Sequence, residues 1–336
     1  MKLGMWVDQI CPNKRVGGIF LVREKKLLQG KTGKHYLLLR LSDRTGEVEA
    51  RIWDRVEELS GRFGPGDLVR VSGEATTYQG VLQVRVQEVV KESALEVNDL
   101  EEFLPDYAVQ RQRSEERMRQ LEGLVAAIGD ESLRGLLLDF LEDPELREAW
   151  LLAPAAKRLH HARLGGLLEH TLSVCRLVCL ACEHYRELNK DLLLTGAVLH
   201  DVGKLRELEA PWKPDYTTEG RLLGHVVMGL RMLDLRLGHH PRVSAQHAMM
   251  LRHMVASHHG HLEFGSPKRP KTLEALVLYM LDDLDAKFDS FKEHLQKEGE
   301  GQEWTPYHSL LDRYLYRGSM AVPEEEAAPR GEGPEA

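Results

Sequence analysis

Apolar and polar positions alternate along residues from about 14 to 92 in the way that half-buried strands require. In the run "GEVEARIWD", Val48, Ala50 and Ile52 are separated by polar side chains, and this period of two predicts a strand with one face on a core. The runs "KHYLLLRLSD" and "GEVEARIWD" flank the turn "DRTG", while "DLVRVSGEATTY" and "VLQVRVQEVV" meet at "QG". Two hairpins are therefore predicted.

Two further segments complete this region. The run "GGIFLVREKKLLQ" supplies a first strand, and the short helical segment "RVEELSGRF" separates the third strand from the fourth. Five strands with a helix at that position match the order of a small OB-type barrel.

Beyond Asn98 the apolar period changes to that of helices. "RQRSEERMRQLEGLVAAIG" predicts one helix, and "DESLRGLLLDFLEDPELREAW" predicts another that starts at an aspartate. Helix-period segments continue to about residue 315, and no segment there indicates a strand. The tail "AVPEEEAAPRGEGPEA" has almost no large apolar residue, which predicts disorder.

We therefore predict a multidomain α+β protein, an N-terminal five-stranded OB-type β-barrel followed by an all-α helical bundle. The predicted segments are the barrel in 1–95, a helical connector in 96–150, the bundle in 151–315 and a disordered tail in 316–336.

Composition and charge fit a soluble globular protein. The chain of 336 residues is 42% hydrophobic and 29% charged. Its formal net charge of -8 means that any contact with nucleic acid must come from a local basic surface. The N-terminus has no apolar signal segment, and no apolar run approaches the ~20 residues of a membrane span. These features predict a cytoplasmic protein without a membrane partner.

Three of the four cysteines, Cys175, Cys179 and Cys182, recur on one stripe of a predicted helix. Free cysteine behaves as a small buried hydrophobe, and the chain has no pair of Cys-x-x-Cys motifs for a structural zinc site. Core packing is the prediction.

Histidines indicate where the chemistry lies, since thirteen of the sixteen fall between His160 and His261. Six candidate metal ligands are spaced by about one helix plus a loop: His170, His200, Asp201, His225, His258 and Asp282. A helical bundle can point all of them into one interior site. Imidazole with carboxylate suits Mn, Fe, Co, Mg or Zn. The set is too large for one tetrahedral zinc and suits two metals that share a carboxylate.

The adjacent pair His200 and Asp201 ends an apolar helical run. Neighbours in a regular helix diverge by ~100°, so they rarely serve one cation unless the helix ends there. Gly203 is the predicted helix stop, and Lys204 is placed to contact a phosphate oxygen. A helix-capping role for either residue of the pair stays open.

The constellation resembles the HD-domain metal-dependent phosphohydrolases. The motif "VLHDVGK" and the ordered series "GLLEHT", "LLGHVVMG", "ASHHG" and "LDDLDAK" carry this resemblance. With the OB-type region ahead of them, residues 1 to about 315 resemble the YhaM-type 3′→5′ exoribonuclease family.

The resemblance implies two divalent ions, with Mn first and Co, Mg, Fe or Zn as alternatives. It places one ion on His170, His200, Asp201 and Asp282, and the other on Asp201, His225 and His258. His259 ranks lower, as a ligand or a phosphate contact, and Asp283 and Asp285 are alternatives to Asp282. Asp201 and Lys204 are the implied catalytic residues. The implied reaction is hydrolysis of single-stranded RNA from the 3′ end by metal-activated water, which releases nucleoside 5′-monophosphates.

Two sets of residues are candidates for nucleic-acid contact. Aromatic rings in a basic groove are how OB-type barrels hold single strands, and the barrel set is Lys34, Tyr36, Arg40, Arg51, Trp53 and Tyr78. The set in the second half is His161, Arg163 and Lys268. The alternatives are core packing for the aromatics, a structural role for His161 and Arg163, and a solvated loop for Lys268. Single-stranded RNA is the predicted partner; single-stranded DNA and a homo-oligomer stay open.

Two competing functions remain at this point. An HD phosphohydrolase acting on a nucleotide or a cyclic dinucleotide would use the OB-type domain for regulation. A non-catalytic RNA-binding module would keep the metal only for structure and would need an incomplete ligand set.

Overall fold

The N-terminal part of the chain is a closed five-stranded barrel. The computed structural model describes residues 4–30, 33–92, 100–105, 107–155, 164–209, 215–296, 303–308 and 311–318. The strands are β1 (Arg15–Gln29), β2 (His35–Asp43), β3 (Gly46–Ile52), β4 (Leu68–Tyr78) and β5 (Val81–Lys91), with helix α1 (Val56–Ser60) between β3 and β4. They close in the order β1-β2-β3-β5-β4, and only β3 and β5 pair in parallel. The predicted OB-type barrel is confirmed.

The alternating pattern explains how the barrel fills its interior. Val48, Ala50 and Ile52 of β3 are buried, as are Val69 and Val71 of β4. Because side chains of a strand alternate between its faces, the polar residues between them face outward. Both predicted hairpins form, with β2 paired to β3 and β4 paired to β5.

The rest of the described chain is helical. Its helices are α2 (Leu100–Phe103), α3 (Tyr107–Ala126), α4 (Glu131–Leu141), α5 (Pro144–Leu152), α6 (Gly166–His184), α7 (Lys190–Leu199), α8 (Lys204–Glu207), α9 (Thr218–His239), α10 (Ala245–Ser257) and α11 (Leu273–Gln296). In the described part of residues 151–318, β-type pairing occurs only as isolated bridges.

The single helix predicted from "DESLRGLLLDFLEDPELREAW" is in fact two. Asp130 caps α4 as expected, by accepting from the backbone N–H of Ser132 and Leu133. Asp143 then caps a second helix, α5, which has Pro144 in its first turn. Proline lacks the N–H of an interior helical position and is tolerated at a helix start, so the chain breaks there.

One hydrophobic core joins the helices on both sides of the boundary predicted at 150. Met118, Phe140 and Trp150 are fully buried in the same cluster as Leu168 and Val178. Cys175 and Cys182 are buried in it and Cys179 packs against it, as predicted for core cysteines.

Barrel and helices are in direct contact. Leu21 of β1 is buried in the helical core, and the Ser42 hydroxyl donates a hydrogen bond to the Phe103 carbonyl at 3.0 Å. Of the predicted tail, Tyr316 pairs with Trp304 in an isolated bridge, and residues 319–336 lie outside the described residues. Within the described ranges, no helix has the length and apolar content that crossing a membrane requires.

Candidate metal centre and nucleic-acid surface

Helices α6, α7, α9, α10 and α11 bring the predicted ligands to one place. The described residues contain two overlapping groups of ligand atoms, each within 4.8 Å: the first is His170, His200 and Asp201, and the second is Asp201, His225, His258 and His259. Asp201 belongs to both groups.

The two oxygens of Asp201 face different histidines. Oδ2 lies 3.4 Å from His200 Nε2 and 3.8 Å from His170 Nε2. Oδ1 lies 3.5 Å from His225 Nε2 and 3.4 Å from His258 Nε2. This is the arrangement that a carboxylate bridging two cations requires.

The three clustered aspartates of α11 have separate environments. Asp282 Oδ1 lies 3.1 Å from His170 Nε2 and 3.7 Å from His200 Nε2, so Asp282 joins the first group. Asp283 forms an exposed ion pair with Lys287. Asp285 lies on the other side of the His170 ring, with Oδ2 at 2.7 Å from Nδ1.

His259, which the sequence ranks below the other candidates, stands with the second group. Its Nε2 lies 3.2 Å from His225 Nε2. Its Nδ1 lies 2.9 Å from the Phe264 carbonyl, so the ring presents Nε2 to the site.

In every histidine of the two groups, Nδ1 is hydrogen-bonded to an acceptor and Nε2 faces the other ligands. The acceptors are the carbonyls of Ala197, Val255 and Phe264 and the carboxylates of Asp285 and Glu207. Because these groups can only accept, each Nδ1 carries a proton, and Nε2 is the nitrogen that binds a cation once it is deprotonated. Such outer partners fix ring orientation in metal sites.

Sequence reasoning missed Glu207 and considered Asp285 only as a ligand. Glu207 is buried and accepts from both the backbone N–H and the Nδ1–H of His225, at 2.9 and 3.1 Å. No spacing rule distinguishes it from Glu209 two residues later, since its role depends on α8 packing against α9.

The prediction that Gly203 ends the helix is wrong. A glycine is required at this position for a different reason, which is a close backbone contact. Helix α7 ends at Leu199, and Gly203 has right-handed backbone angles (φ -62°, ψ -25°) at the start of α8. A Cβ at Gly203 would stand 2.0 Å from the His225 carbonyl oxygen and 2.7 Å from the Gly229 nitrogen. The missing side chain lets the chain after Asp201 approach α9.

Helix α9 changes direction just before His225, one of the predicted ligands. Gly224 has φ 72° inside α9, a left-handed conformation that breaks the helix. This break frees the backbone N–H of His225 from the helix, and that N–H donates a hydrogen bond to the Glu207 carboxylate.

The site is electrostatically arranged around a charged Asp201. Burial opposes ionisation, but Lys204 and His200 hold the pKa of Asp201 well below its usual range; the Lys204 Nζ lies 2.7 Å from Oδ2. Burial likewise lowers the pKa of His170, yet the carboxylates of Asp282 and Asp285 outweigh it and raise this pKa to about 9. Burial and the neighbouring His258 lower the pKa of His259 to about 4.

Two buried atoms test whether these residues fit divalent metal. Asp201 Oδ1 and His258 Nε2 are buried and lack a hydrogen-bond partner among the described residues. A buried polar atom without a partner costs about 1–3 kcal/mol, and a cation between these two acceptors would satisfy both. The donor set of imidazoles and carboxylates fits a divalent transition metal.

The barrel presents an aromatic and basic cluster at its surface. Tyr36 and Trp53 stack with ring centroids 4.4 Å apart. Arg51 lies over the rings of Tyr36 and Tyr78, at 5.7 and 5.4 Å, and it is also paired with Glu49. The Tyr78 side chain is exposed.

The structure describes three of the other candidates for nucleic-acid contact. Arg40 lies 3.6 Å from Glu47, and Lys34 and Lys268 are exposed. His161 and Arg163 lie outside the described residues.

Comparison with known proteins identifies both domains. Residues 167–287 match the HD domain family, and residues 17–92 match a family of OB-fold nucleic acid binding domains. The 3′-5′ exoribonuclease YhaM of Geobacillus sp. (strain WCH70) is 32% identical over 288 residues, which span 85% of this chain and 86% of that protein.

Among solved structures, the second OB-fold domain of replication protein A from Methanococcus maripaludis is 24% identical with a TM-score of 0.23, over 28% of this chain and all of that one. The mitochondrial single-stranded DNA binding protein of S. cerevisiae is 12% identical with a TM-score of 0.22, over 25% of this chain and all of that one. The extent of the match to the Geobacillus protein, together with the two domain matches, shows that this chain belongs to the YhaM family of 3′-5′ exoribonucleases, with an OB-fold domain followed by an HD domain.

Proposed function

We propose that this protein is a metal-dependent exonuclease that removes nucleotides from the 3′ end of single-stranded RNA and releases nucleoside 5′-monophosphates. The observation that carries the proposal is the position of Asp201, whose two oxygens face two separate groups of histidines. Family membership supplies the polarity and the RNA substrate. We propose the cytoplasm as its compartment, where such RNA is found.

The first ion is assigned to His170, His200, Asp201 and Asp282. The second is assigned to Asp201, His225 and His258, with His259 as a further ligand of the same group. We propose Mn²⁺ first, since imidazole and carboxylate ligands together suit it, with Co, Mg, Fe and Zn as alternatives. When bound, such ions activate water and stabilise charge on the attacking and leaving oxygens.

Lys204 is the residue we assign to the scissile phosphate. It is held beside Asp201 at 2.7 Å and its side chain is 13% exposed. Near the metal groups, its ammonium can neutralise a phosphate oxygen and add to the stabilisation of the transition state. Asp201 would contribute one oxygen to each of the two ion groups.

We assign binding of the single-stranded RNA to the barrel. Tyr36, Trp53 and Tyr78 offer ring faces for bases and Arg51 adds charge between them. Arg40, Lys34 and Lys268 are assigned to further phosphates of the strand, and we propose the same role for His161 and Arg163. Stacking tolerates every base, so single-stranded DNA would also bind. Both ion groups come from residues of a single chain.

The test is incubation of 5′-end-labelled RNA and DNA oligomers with Mn²⁺, Mg²⁺, Co²⁺ or EDTA, followed by gel analysis of the products. The expected result is a ladder shortening from the 3′ end with Mn²⁺ and no product with EDTA. Asp201→Asn should abolish hydrolysis while the protein stays folded and still binds RNA. Internal cleavage, or hydrolysis that persists in EDTA, would contradict the proposal.

The two competing functions have less support. A cyclic-dinucleotide or nucleotide phosphohydrolase would not account for the match along 85% of the chain to a 3′-5′ exoribonuclease. A non-catalytic module needs an incomplete ligand set, whereas each of the two groups around Asp201 has at least three ligand atoms within 4.8 Å of one another.

A further inference from the structure

A groove lies between helices α3, α6 and α11. Its volume is about 510 Å³, within the range of about 300–1,000 Å³ that small-molecule sites occupy. Three arginines and a lysine line it, Arg113, Arg117, Arg176 and Lys292, together with the side chain of Phe288.

Four basic and four acidic residues line this groove, and the charged side chains that have no ion-pair partner in the part of the chain that the structure describes are all cations. Each carboxylate on its walls already has a partner, as shown by Glu116 with Arg119, Glu169 with Arg117, Asp285 with His170, and Asp289. By contrast, Arg113 and Lys292 form no ion pair with any described residue, and Arg176 bonds only the neutral amide of Gln120, at 2.7 Å.

The groove also contains an aromatic ring that is largely exposed. Phe288 is 68% exposed, and a phenylalanine face of this kind can stack on a base. Cations for a phosphate and an aromatic face for a base, in one groove of this size, match the chemistry of a nucleotide.

The groove lies next to the metal centre, on the Nδ1 side of the His170 ring. Ser173 and Asp285 line the groove, the Ser173 hydroxyl donates to Asp285 Oδ1, and Asp285 holds His170 through Nδ1. The other proposed ligands of the first ion, Asp282 and His200, face Nε2 of the same ring. A nucleotide in the groove is therefore not the nucleotide being cleaved.

We propose that this groove is a second nucleotide-binding site, with the phosphate on Arg113, Arg176 and Lys292 and the base on Phe288. The inference rests on the proposed function in that a nucleotide is present either as the released monophosphate or as part of the bound strand. The chemistry of recognition is the same for the two sources.

The experiment is photocrosslinking of the full-length protein in EDTA, with 5-iodouridine 5′-monophosphate and, separately, an oligoribonucleotide that carries 5-iodouridine. Mass spectrometry of the digest should find the adduct on the peptide that contains Phe288. At subsaturating probe, Arg113→Ala and Lys292→Ala should each lower the yield about tenfold, the effect of losing one charge-assisted contact. Arg242→Ala, an exposed arginine outside the groove, should leave it unchanged.

The outcomes separate the two sources. An adduct with the monophosphate assigns the groove to free nucleotide, and an adduct with the oligomer alone assigns it to the strand. If neither probe labels Phe288, or if Arg242→Ala lowers the yield as much as Arg113→Ala, the proposal is wrong. Hydrolysis of RNA by the wild-type protein with Mn²⁺ is measured in parallel, and its failure would overturn the proposed function without bearing on this site.

Discussion

At the residue scale, the histidines of the metal centre depend on groups that no cation would touch. Asp285 orients His170 through Nδ1 at 2.7 Å. Removal of an outer partner of this kind typically weakens metal binding 10–100-fold. We therefore expect Asp285→Ala to weaken Mn²⁺ binding by about that factor, measured by isothermal titration calorimetry.

The same helix offers a matched control for this change. Asp283 is two residues away and pairs with Lys287 on the exposed surface, so Asp283→Ala removes an equal charge without touching a ligand. Equal affinities of the two variants for Mn²⁺ would show that Asp285 does not position His170.

Lys204 allows a second prediction at this scale. Because its ammonium is assigned to the phosphate and not to an ion, Lys204→Ala should lower kcat for RNA by about 100-fold, comparable to the loss of one stabilising donor at a reaction centre. Metal content, measured by plasma mass spectrometry, should remain that of the wild type. Loss of the metal together with activity would instead assign Lys204 to the integrity of the site.

Some of these residues can be predicted from sequence and some cannot. His170, His200, Asp201, His225 and His258 follow from motifs spaced by one helix each. Glu207, in contrast, becomes significant only when α8 lies against the kink at Gly224, and the choice among the three aspartates of α11 depends on the rotation of that helix. Contacts between helices are not encoded in local spacing.

At the element scale, the contact between the start of α8 and α9 is backbone against backbone. The sequence correctly indicates that Gly203 matters but not the reason, because helix termination and close approach both favour glycine. A Cβ there would meet the His225 carbonyl oxygen at 2.0 Å, so one element would have to move and shift a proposed ligand with it.

This contact gives a prediction on stability. Gly203→Ala should lower the free energy of unfolding by about 2 kcal/mol or more, as overpacking in a core does, measured by urea denaturation without metal. Gly238→Ala in α9 is the control, since a Cβ there has nothing within 4 Å. That change should be neutral or stabilise by up to ~1 kcal/mol. If Gly203→Ala is as stable as Gly238→Ala, the close approach has no energetic consequence.

At the scale of the whole molecule, the barrel was the more predictable half. Apolar and polar residues alternate clearly along its strands, as in the run that contains Val48, Ala50 and Ile52. Its turns have strong local sequence signals. The helical half was predictable as helices, but its division was not. Residues predicted as a connector, such as Met118 and Trp150, share one core with Leu168, because apolar helix faces find partners irrespective of sequence distance.

The division of work between barrel and bundle gives the last prediction. If the barrel grips the strand and the bundle cuts it, Trp53→Ala should weaken RNA binding by about 1–3 kcal/mol, the contribution of one stacked base. Hydrolysis of bis(p-nitrophenyl) phosphate, which is too small to reach both domains, should be unchanged. The matched control is Trp304→Ala, an exposed tryptophan outside the barrel, with RNA affinity measured by fluorescence anisotropy. Equal weakening by the two changes, or loss of small-substrate hydrolysis in Trp53→Ala, would mean that the two functions are not separated between the domains.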